Sequence, residues 1–362
     1  MGKIMKMQDE DSIRKNIRDL KQIEMKGAII KIICFIGIGL FLLRSISYCL
    51  RTDTLEKRCF AGYYALHKGE ENVVFIGSSK TRSSMIPAMM GEQYGFTSYV
   101  LATSAQDPRA LIHLLREAAK TQPQAVFVFD LAQFSRDDEV WDHSSEAYTR
   151  LTTDSLRYSV NRIMMIQDIV KEDRVSYYFD ICKYHTLWKF GWQWDFWNLK
   201  EECAGRGYAL LSKTEEMEYP SGKYTTEKAP VTDRAQAVLV DLLKECRDKH
   251  LKTEFICPPD PGGDYRRMNY LEEAVKSYGF DCINFNNKSF EHMYEFKYDF
   301  YDGGHTNVSG ALKTSRYYGS YLHGKYHWRF SRNEEFLQTC KEQMNQIYET
   351  INTKVKEGTY DE

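Results

Sequence analysis

Two short segments at opposite ends of the chain carry residue types that could form a nucleophile, a base and an orienting group. The apolar run 73–76 is followed by Gly-Ser-Ser, which ends at Ser79. Far downstream, Asp302 and His305 lie three residues apart with two glycines between them. A serine hydroxyl is a poor nucleophile at neutral pH unless a correctly oriented base takes its proton. The spacing therefore predicts Ser79 as the nucleophile, His305 as its base and Asp302 as the group that orients the histidine.

Neighbouring polar residues are open to two interpretations each. Ser78 is interpreted as a turn residue rather than as the nucleophile. Lys80 is expected to be a solvent-exposed lysine, with a Ser–Lys catalytic pair as the alternative. Asp260 follows a predicted strand and is interpreted as a loop aspartate, although it could face the site. Asn307 is predicted to cap a helix that begins near Val308.

Short apolar segments alternate with helical patterns from residue 72 onward, which is typical of an α/β protein with a mainly parallel, doubly wound sheet of five strands. Ligands of such sheets bind at the carboxyl ends of the strands, and Ser79 follows the first strand. The predicted strands are 72–77, 97–102, 124–130, 252–257 and 281–285. The predicted helices between them are 84–94, 108–120, 232–249 and 266–278.

The amino-terminal region contains one apolar stretch that is long enough to cross a membrane. Its uninterrupted core, 32–43, is short, but the stretch 28–50 includes only two cations, which lie toward its ends. A buried core helix and a signal peptide are the alternatives, and no small-residue cleavage site follows. Seven basic residues lie at 1–26 and four lie at 44–58, which favours a cytoplasmic amino terminus and an extracytoplasmic main domain.

The resulting domain plan has five parts. Residues 1–27 form a cytoplasmic segment, 28–50 a transmembrane anchor and 51–71 a helical linker. Residues 72–330 form a catalytic domain with an insertion at about 135–230, and 331–362 form an amphipathic helix. The insertion holds five of the six tryptophans. It is interpreted either as a satellite hydrophobic core or as a surface on which sugar rings stack, with His185 and Trp188 as candidate pocket residues.

Composition excludes several other classes of function. The formal net charge of −2 gives no indication of nucleic-acid binding. No metal-ligand spacing, phosphate-binding loop or dinucleotide fingerprint occurs, so no metal and no cofactor is predicted. The nine cysteines contain no C-x-x-C pair, and one or two disulfides remain open.

The two segments resemble the nucleophile and histidine blocks of the SGNH/GDSL hydrolase superfamily. The similarity covers about residues 30–325 and is greatest to a membrane-anchored, DltD-like branch of Gram-positive bacteria that is associated with membrane-bound O-acyltransferases. The residues that carry it are Phe75–Ser79, Tyr94–Phe96, Tyr177–Phe179, Tyr184–Trp188 and Asp299–Asn307. The resemblance implies the triad of Ser79, Asp302 and His305. It also implies an oxyanion hole, for which the backbone of Ser79 and Ala105 and the side chain of Gln133 are candidates.

The blocks that supply the oxyanion hole depart from the family pattern. The second block, 101–107, lacks the usual glycines, and the third block, 130–133, lacks the usual asparagine.

The resemblance and the apolar stretch together lead us to expect a membrane-anchored, extracytoplasmic serine esterase or O-acyltransferase. Its expected substrates are acyl groups, acetyl above all, of a cell-surface polysaccharide or teichoic-acid-like polymer. A membrane-bound O-acyltransferase is the expected partner. The alternative is a non-catalytic scaffold of an O-acyltransferase complex.

Overall fold

The computed structural model describes residues 2–51, 54–142, 145–190, 203–331 and 333–356. Among these, only the backbone is described at 2–20, 48, 49, 188, 190, 204 and 354–356. The chain divides into two units. The first consists of Met1–Thr52 with Phe179–Phe196, and the second of Asp53–Tyr178 with Trp197–Glu362.

The described elements of the first unit are helices, and helices alternate with parallel strands through most of the second unit. The helices of both units together are α1 (Gly2–Leu50), α2 (Leu55–Ala65), α3 (Ser79–Ser84), α4 (Pro87–Tyr94), α5 (Leu111–Thr121), α6 (Asp138–Asp142), α7 (Glu146–Thr153), α8 (Val160–Ile169), α9 (Arg174–Tyr178), α10 (Ile181–Tyr184), α11 (Asp233–Asp248), α12 (Tyr265–Ser277), α13 (Val308–Tyr326) and α14 (Glu334–Lys356). The strands are β1 (Val73–Ser78), β2 (Ser98–Thr103), β3 (Val126–Asp130), β4 (Thr253–Cys257), β5 (Asp281–Asn284), β6 (Phe300–Asp302) and β7 (His305–Thr306).

A five-stranded parallel sheet forms the centre of the second unit, as the sequence predicted. Its strand order is β2-β1-β3-β4-β5, and β1 pairs with both β2 and β3. This is the order of flavodoxin-type doubly wound sheets, whose switch point lies between β1 and β3. Every residue of β1, β2, β3 and β4 is buried, which explains why these strands are continuous apolar runs rather than alternating ones.

The first unit contains the one helix that is long and apolar enough to cross a membrane among the described residues. The apolar span is Lys21–Ser47, whose most apolar 18-residue stretch has a mean hydropathy of 2.3, and it begins and ends earlier than the predicted 28–50. Its apolar side chains are exposed, as a lipid-facing helix requires, and Phe35 is 79% exposed. At the end of α1, Arg51 forms a buried ion pair with Asp180, at 2.5 Å, and α10 lies against α1.

The two helices that flank the predicted domain are part of its packing. Helix α2, predicted as a linker, buries Phe60 and Tyr63 in the core of the sheet domain. Cys59 of the same helix faces Cys203 with the Sγ atoms 2.6 Å apart, and the described cysteines are free thiols. Helix α14 buries Cys340, Met344 and Ile347 in a second cluster and contacts α4 and α13.

Only part of the predicted aromatic insertion, about 135–230, lies among the described residues. Trp141 is buried with its ring edge-on to Phe134. Residues 179–190 belong to the first unit. Trp192, Trp194 and Trp197 lie outside the described residues, as does the side chain of Trp188, so the sugar-stacking surface stays a prediction.

Candidate active site

Ser79 lies where β1 ends and α3 begins, at the switch point of the sheet. Ser78 is the residue that caps α3, because its Oγ accepts a hydrogen bond from the Lys80 N–H at 3.3 Å. Gly77 is required by close packing. A Cβ at this position would overlap the Asp130 side chain and lie 2.7 Å from Thr81 Oγ1. The turn that presents Ser79 is therefore packed directly against the end of β3.

The carboxylate of Asp130 holds this turn. Its Oδ2 accepts hydrogen bonds from the Ser78 N–H at 3.0 Å, from Ser78 Oγ at 2.6 Å and from Thr81 Oγ1 at 3.0 Å. Its Oδ1 accepts from the Ala132 N–H at 2.7 Å. Asp130 is only 3% exposed, so these four donors replace the water that a carboxylate would otherwise bind. Sequence reasoning missed this role, since it treated the third block only as a source of an oxyanion donor.

His305 reaches the site on a tight hairpin. Strands β6 and β7 are antiparallel, and Asp302 pairs with His305 across a turn made by the two glycines. Two contacts fix the hairpin: Thr306 Oγ1 donates to the Ser83 carbonyl of α3 at 2.9 Å, and Asn307 Oδ1 caps α13 by accepting from the Ser309 N–H at 2.9 Å. The predicted cap at Asn307 is confirmed.

The three predicted triad residues come together in one chain of contacts. Ser79 Oγ lies 2.8 Å from His305 Nε2. His305 Nδ1 lies 2.8 Å and 3.0 Å from the two carboxylate oxygens of Asp302. A carboxylate accepts only, so Nδ1 carries the proton, and in the neutral ring Nε2 is then free to accept the proton of Ser79 Oγ.

The environment of Asp302 keeps it ionised. Partial burial raises the pKa of Asp302, but the Gly304 N–H, which donates to it at 2.8 Å, and the His305 ring outweigh burial. The net result is a pKa below the ordinary value of 3.8. A carboxylate in this state both orients the imidazole and stabilises the imidazolium that forms when Ser79 gives up its proton.

All three candidate oxyanion residues line the same open cleft as the triad. The cleft has a volume of about 440 Å³ and includes Ser79, Ala105, Gln133, Asp302 and His305. Ala105 has a φ of 45°, in the left-handed region that glycine adopts most easily. An alanine here stores backbone strain, so the departure from the glycines of the second block has a physical cost.

The loop that carries Ala105 is tied to α3 by a charged pair that sequence reasoning did not identify. Arg82 of α3 pairs with Glu56 of α2 at 2.7 Å and donates to Ser104 Oγ at 3.0 Å. Ser104 Oγ in turn donates to Glu56 at 2.8 Å. Burial raises the pKa of Glu56, but Arg82 and the hydrogen bonds outweigh it, so the pKa is lowered and the pair stays charged.

The structure corrects the expectation for Lys80 and adds to the one for Asp260. Lys80 is 5% exposed rather than a surface lysine, and its Nζ lies 2.8 Å from Asp260 and 3.1 Å from the Gly304 carbonyl oxygen. Asp260 lies on a loop, as expected, but it is fully buried there, and Arg136 also pairs with it, at 3.1 Å. A single sequence gives no signal for such pairs, because their members lie on separate loops.

The two candidate pocket residues in the insertion belong to the first unit, whereas the triad belongs to the second. His185 is exposed, its Nδ1 lies 3.1 Å from the Cys182 carbonyl oxygen, and it belongs to the first unit. The side chain of Trp188 lies outside the described residues. The described aromatic residues that line the cleft are Tyr148 and Tyr301 instead.

The sequence matches no protein-family model, and no curated protein is significantly similar to it.

Asp130 provides a test of the turn that presents Ser79. In Asp130→Asn, the N–H and hydroxyl donors of Ser78 and Thr81 lose a charged acceptor. We expect the free energy of unfolding to fall by about 2–4 kcal/mol, since hydrogen bonds to charged groups contribute about 1.5–3 kcal/mol each. Urea unfolding of the full chain in detergent measures this. The exposed Asp241→Asn on α11 is the matched control, and equal midpoints for the two variants would contradict the role of Asp130.

Asp302 provides a test by pH. Because its pKa in the folded protein lies below 3.8, its charge stabilises the fold above that pH, and this contribution is lost as pH falls through the lower, folded-state pKa. Below about pH 5, the difference in free energy of unfolding between the wild type and Asp302→Asn should therefore shrink as the pH is lowered. A difference that grows over this acidic range would show that Asp302 is not held as a carboxylate.

Proposed function

We propose that the protein is a serine esterase or O-acyltransferase that forms an acyl-enzyme on Ser79. The observation that carries the proposal is the unbroken path from Ser79 Oγ through His305 to Asp302, with 2.8 Å at both steps. A base within this reach of a serine and an ionised carboxylate behind it are what nucleophilic catalysis by serine requires. The site also lies at the switch point of a doubly wound sheet, where such folds bind ligands.

The reaction would proceed through two acyl transfers. His305 Nε2 takes the proton of Ser79 Oγ as that oxygen attacks an ester carbonyl, and it returns the proton to the leaving alcohol. The backbone N–H groups of Ser79 and Ala105 and the amide of Gln133 are the candidate donors to the oxyanion. His305 then activates water, or a second alcohol, to release the acyl group from Ser79. Hydrolysis and O-acyl transfer differ only in which acceptor enters the cleft.

Aromatic and cationic side chains are both among the residues that line the cleft around Ser79. They are Tyr148 and Tyr301, together with Arg82, which pairs with Glu56, and Arg136, which pairs with Asp260. Aromatic faces and cationic donors together are suited to hydroxyl-rich sugar rings and acidic groups attached to them. These features support acyl groups of a cell-surface polysaccharide or teichoic-acid-like polymer as the substrate class.

The apolar helix and the resemblance to membrane-anchored SGNH-like proteins support the rest of the proposal. The span Lys21–Ser47 would tether the catalytic unit to the cell membrane. The excess of basic residues before the span favours an extracytoplasmic catalytic unit. A membrane-bound O-acyltransferase is the partner that would supply the acyl donor if the reaction is a transfer.

A fluorophosphonate probe tests the nucleophile directly, because it reacts with activated serines and forms a stable adduct. We expect covalent labelling of the full chain at Ser79, found by peptide mass spectrometry. Ser79→Ala should abolish labelling, and His305→Ala should slow it at least about 100-fold, within the range that general-base catalysis contributes. Ser277→Ala, at an exposed serine on α12, is the control. A folded wild-type protein that takes up no probe would favour the scaffold alternative.

Cysteine accessibility tests the proposed orientation. Residue 221 is exposed in the catalytic unit, so Ser221→Cys, made in a chain whose exposed Cys34 and Cys182 are replaced by serine, should react with a membrane-impermeant maleimide on intact cells. Ser12→Cys, before the apolar span, is the matched control and should react only after the membrane is permeabilised. The reverse pattern would place the catalytic unit in the cytoplasm.

A further inference from the structure

A buried lysine lies between the nucleophile and its base in sequence and in space. Lys80 follows Ser79 directly and is only 5% exposed. Its Nζ donates to the carbonyl oxygen of Gly304, the residue before His305, at 3.1 Å. Burying an ammonium group is costly unless it is paired, and Lys80 is paired with Asp260 at 2.8 Å. We therefore expect the buried ammonium group of Lys80 to hold a specific part of the structure in place.

The partner of Lys80 is itself held rigidly. Asp260 is fully buried on the loop after β4, and its N–H donates to Asn286 Oδ1 at 2.9 Å. The amide of Asn286 donates in turn to the Pro258 carbonyl at 2.8 Å, which closes the loop on itself. The second carboxylate oxygen of Asp260 pairs with Arg136 at 3.1 Å. Asp260 is thus a fixed point against which Lys80 is anchored.

The same loop makes a second contact with the histidine hairpin. The Gly262 N–H donates to the Gly303 carbonyl oxygen at 2.7 Å. Together with the bond from Lys80 to Gly304, this means that both carbonyls of the hairpin turn are held. The turn joins Asp302 to His305, so its position sets how far the imidazole reaches toward Ser79.

We propose that Lys80, anchored by Asp260, is a positioning residue that fixes the 302–305 turn and so keeps His305 within reach of Ser79. The inference rests on the proposed function, in which His305 is the base. It also decides against the Ser–Lys alternative, because Lys80 Nζ is engaged by Asp260 and Gly304. A displacement of about 1 Å in a catalytic group can cost about 100-fold in rate, so the fixing of this turn has a measurable consequence.

The test uses Lys80→Met and Asp260→Asn in the full chain, purified in detergent. Fluorophosphonate labelling is followed over a range of probe concentrations, so that the limiting rate and the probe affinity are obtained separately. We expect the limiting rate to fall about 100-fold in both variants while the affinity stays within about twofold, because the turn affects chemistry rather than binding. Hydrogen exchange of the peptide that covers 301–306 should become faster.

The control removes a buried ion pair of the same kind from the opposite end of the sheet. Glu71, which precedes β1, is fully buried at its side chain and pairs with Arg206. Glu71→Gln should lower the melting temperature at least as much as Lys80→Met, yet leave the limiting rate and the exchange of 301–306 unchanged. If Lys80→Met and Asp260→Asn do not fold, Lys80→Arg, which keeps the charge, replaces them. A lowered limiting rate with unchanged affinity in that variant supports the proposal.

The outcomes separate this inference from the proposed function. If the wild type is labelled and the variants match it in limiting rate, Lys80 does not keep His305 within reach of Ser79, whatever the exchange of 301–306 shows, while the nucleophile stands. If the wild type is not labelled but hydrogen exchange of 301–306 accelerates in the variants, the turn is held as inferred while the proposed function fails. Unchanged labelling and unchanged exchange in folded variants would overturn the inference.

Discussion

The contact between Ser79 Oγ and His305 Nε2, at 2.8 Å, is the interaction on which the rest of the account depends. It joins residues that are 226 positions apart in the chain, so it forms only when the sheet is assembled. Strand β1 brings Ser79 to the switch point, and the β6–β7 hairpin brings His305 to the same place. A contact of this sequence separation must be imposed by the fold, because no local structure could bring the two residues together.

Three buried acidic residues near the cleft hold the turns and loops that form the site in one arrangement. Asp130 holds the turn before Ser79, Asp260 anchors Lys80 against the histidine turn, and Glu56 anchors Arg82 and the loop of Ala105. Each carboxylate contacts donors or a cation from another segment of the chain, so each one cross-links two segments near the carboxyl end of the sheet. Because a buried charge that loses its partners is costly, these links favour one arrangement of the loops over others.

The sequence predicted the sheet and the triad geometry because both leave local signals. Buried parallel strands appear as short apolar runs, and a serine after the first run with an aspartate and a histidine three residues apart gives a recognisable pattern. The pairs of Lys80 with Asp260 and of Arg82 with Glu56 left no such signal, since their members are far apart in the chain and each residue alone is typical of a surface. His185 was predicted to line the pocket because it lies in the insertion, and since it belongs to the first unit its place in the pocket stays a prediction.

The most direct test of the central claim is to trap the acyl-enzyme. The full chain in detergent is mixed with p-nitrophenyl acetate, quenched in acid within milliseconds to seconds, and digested for mass spectrometry. The account predicts that the peptide containing Ser79 gains the mass of one acetyl group, with a burst of nitrophenol equal to the enzyme concentration, and that His305→Ala shows neither. An acetyl group found on Lys80 or on scattered surface lysines, with Ser79 unmodified, would contradict it.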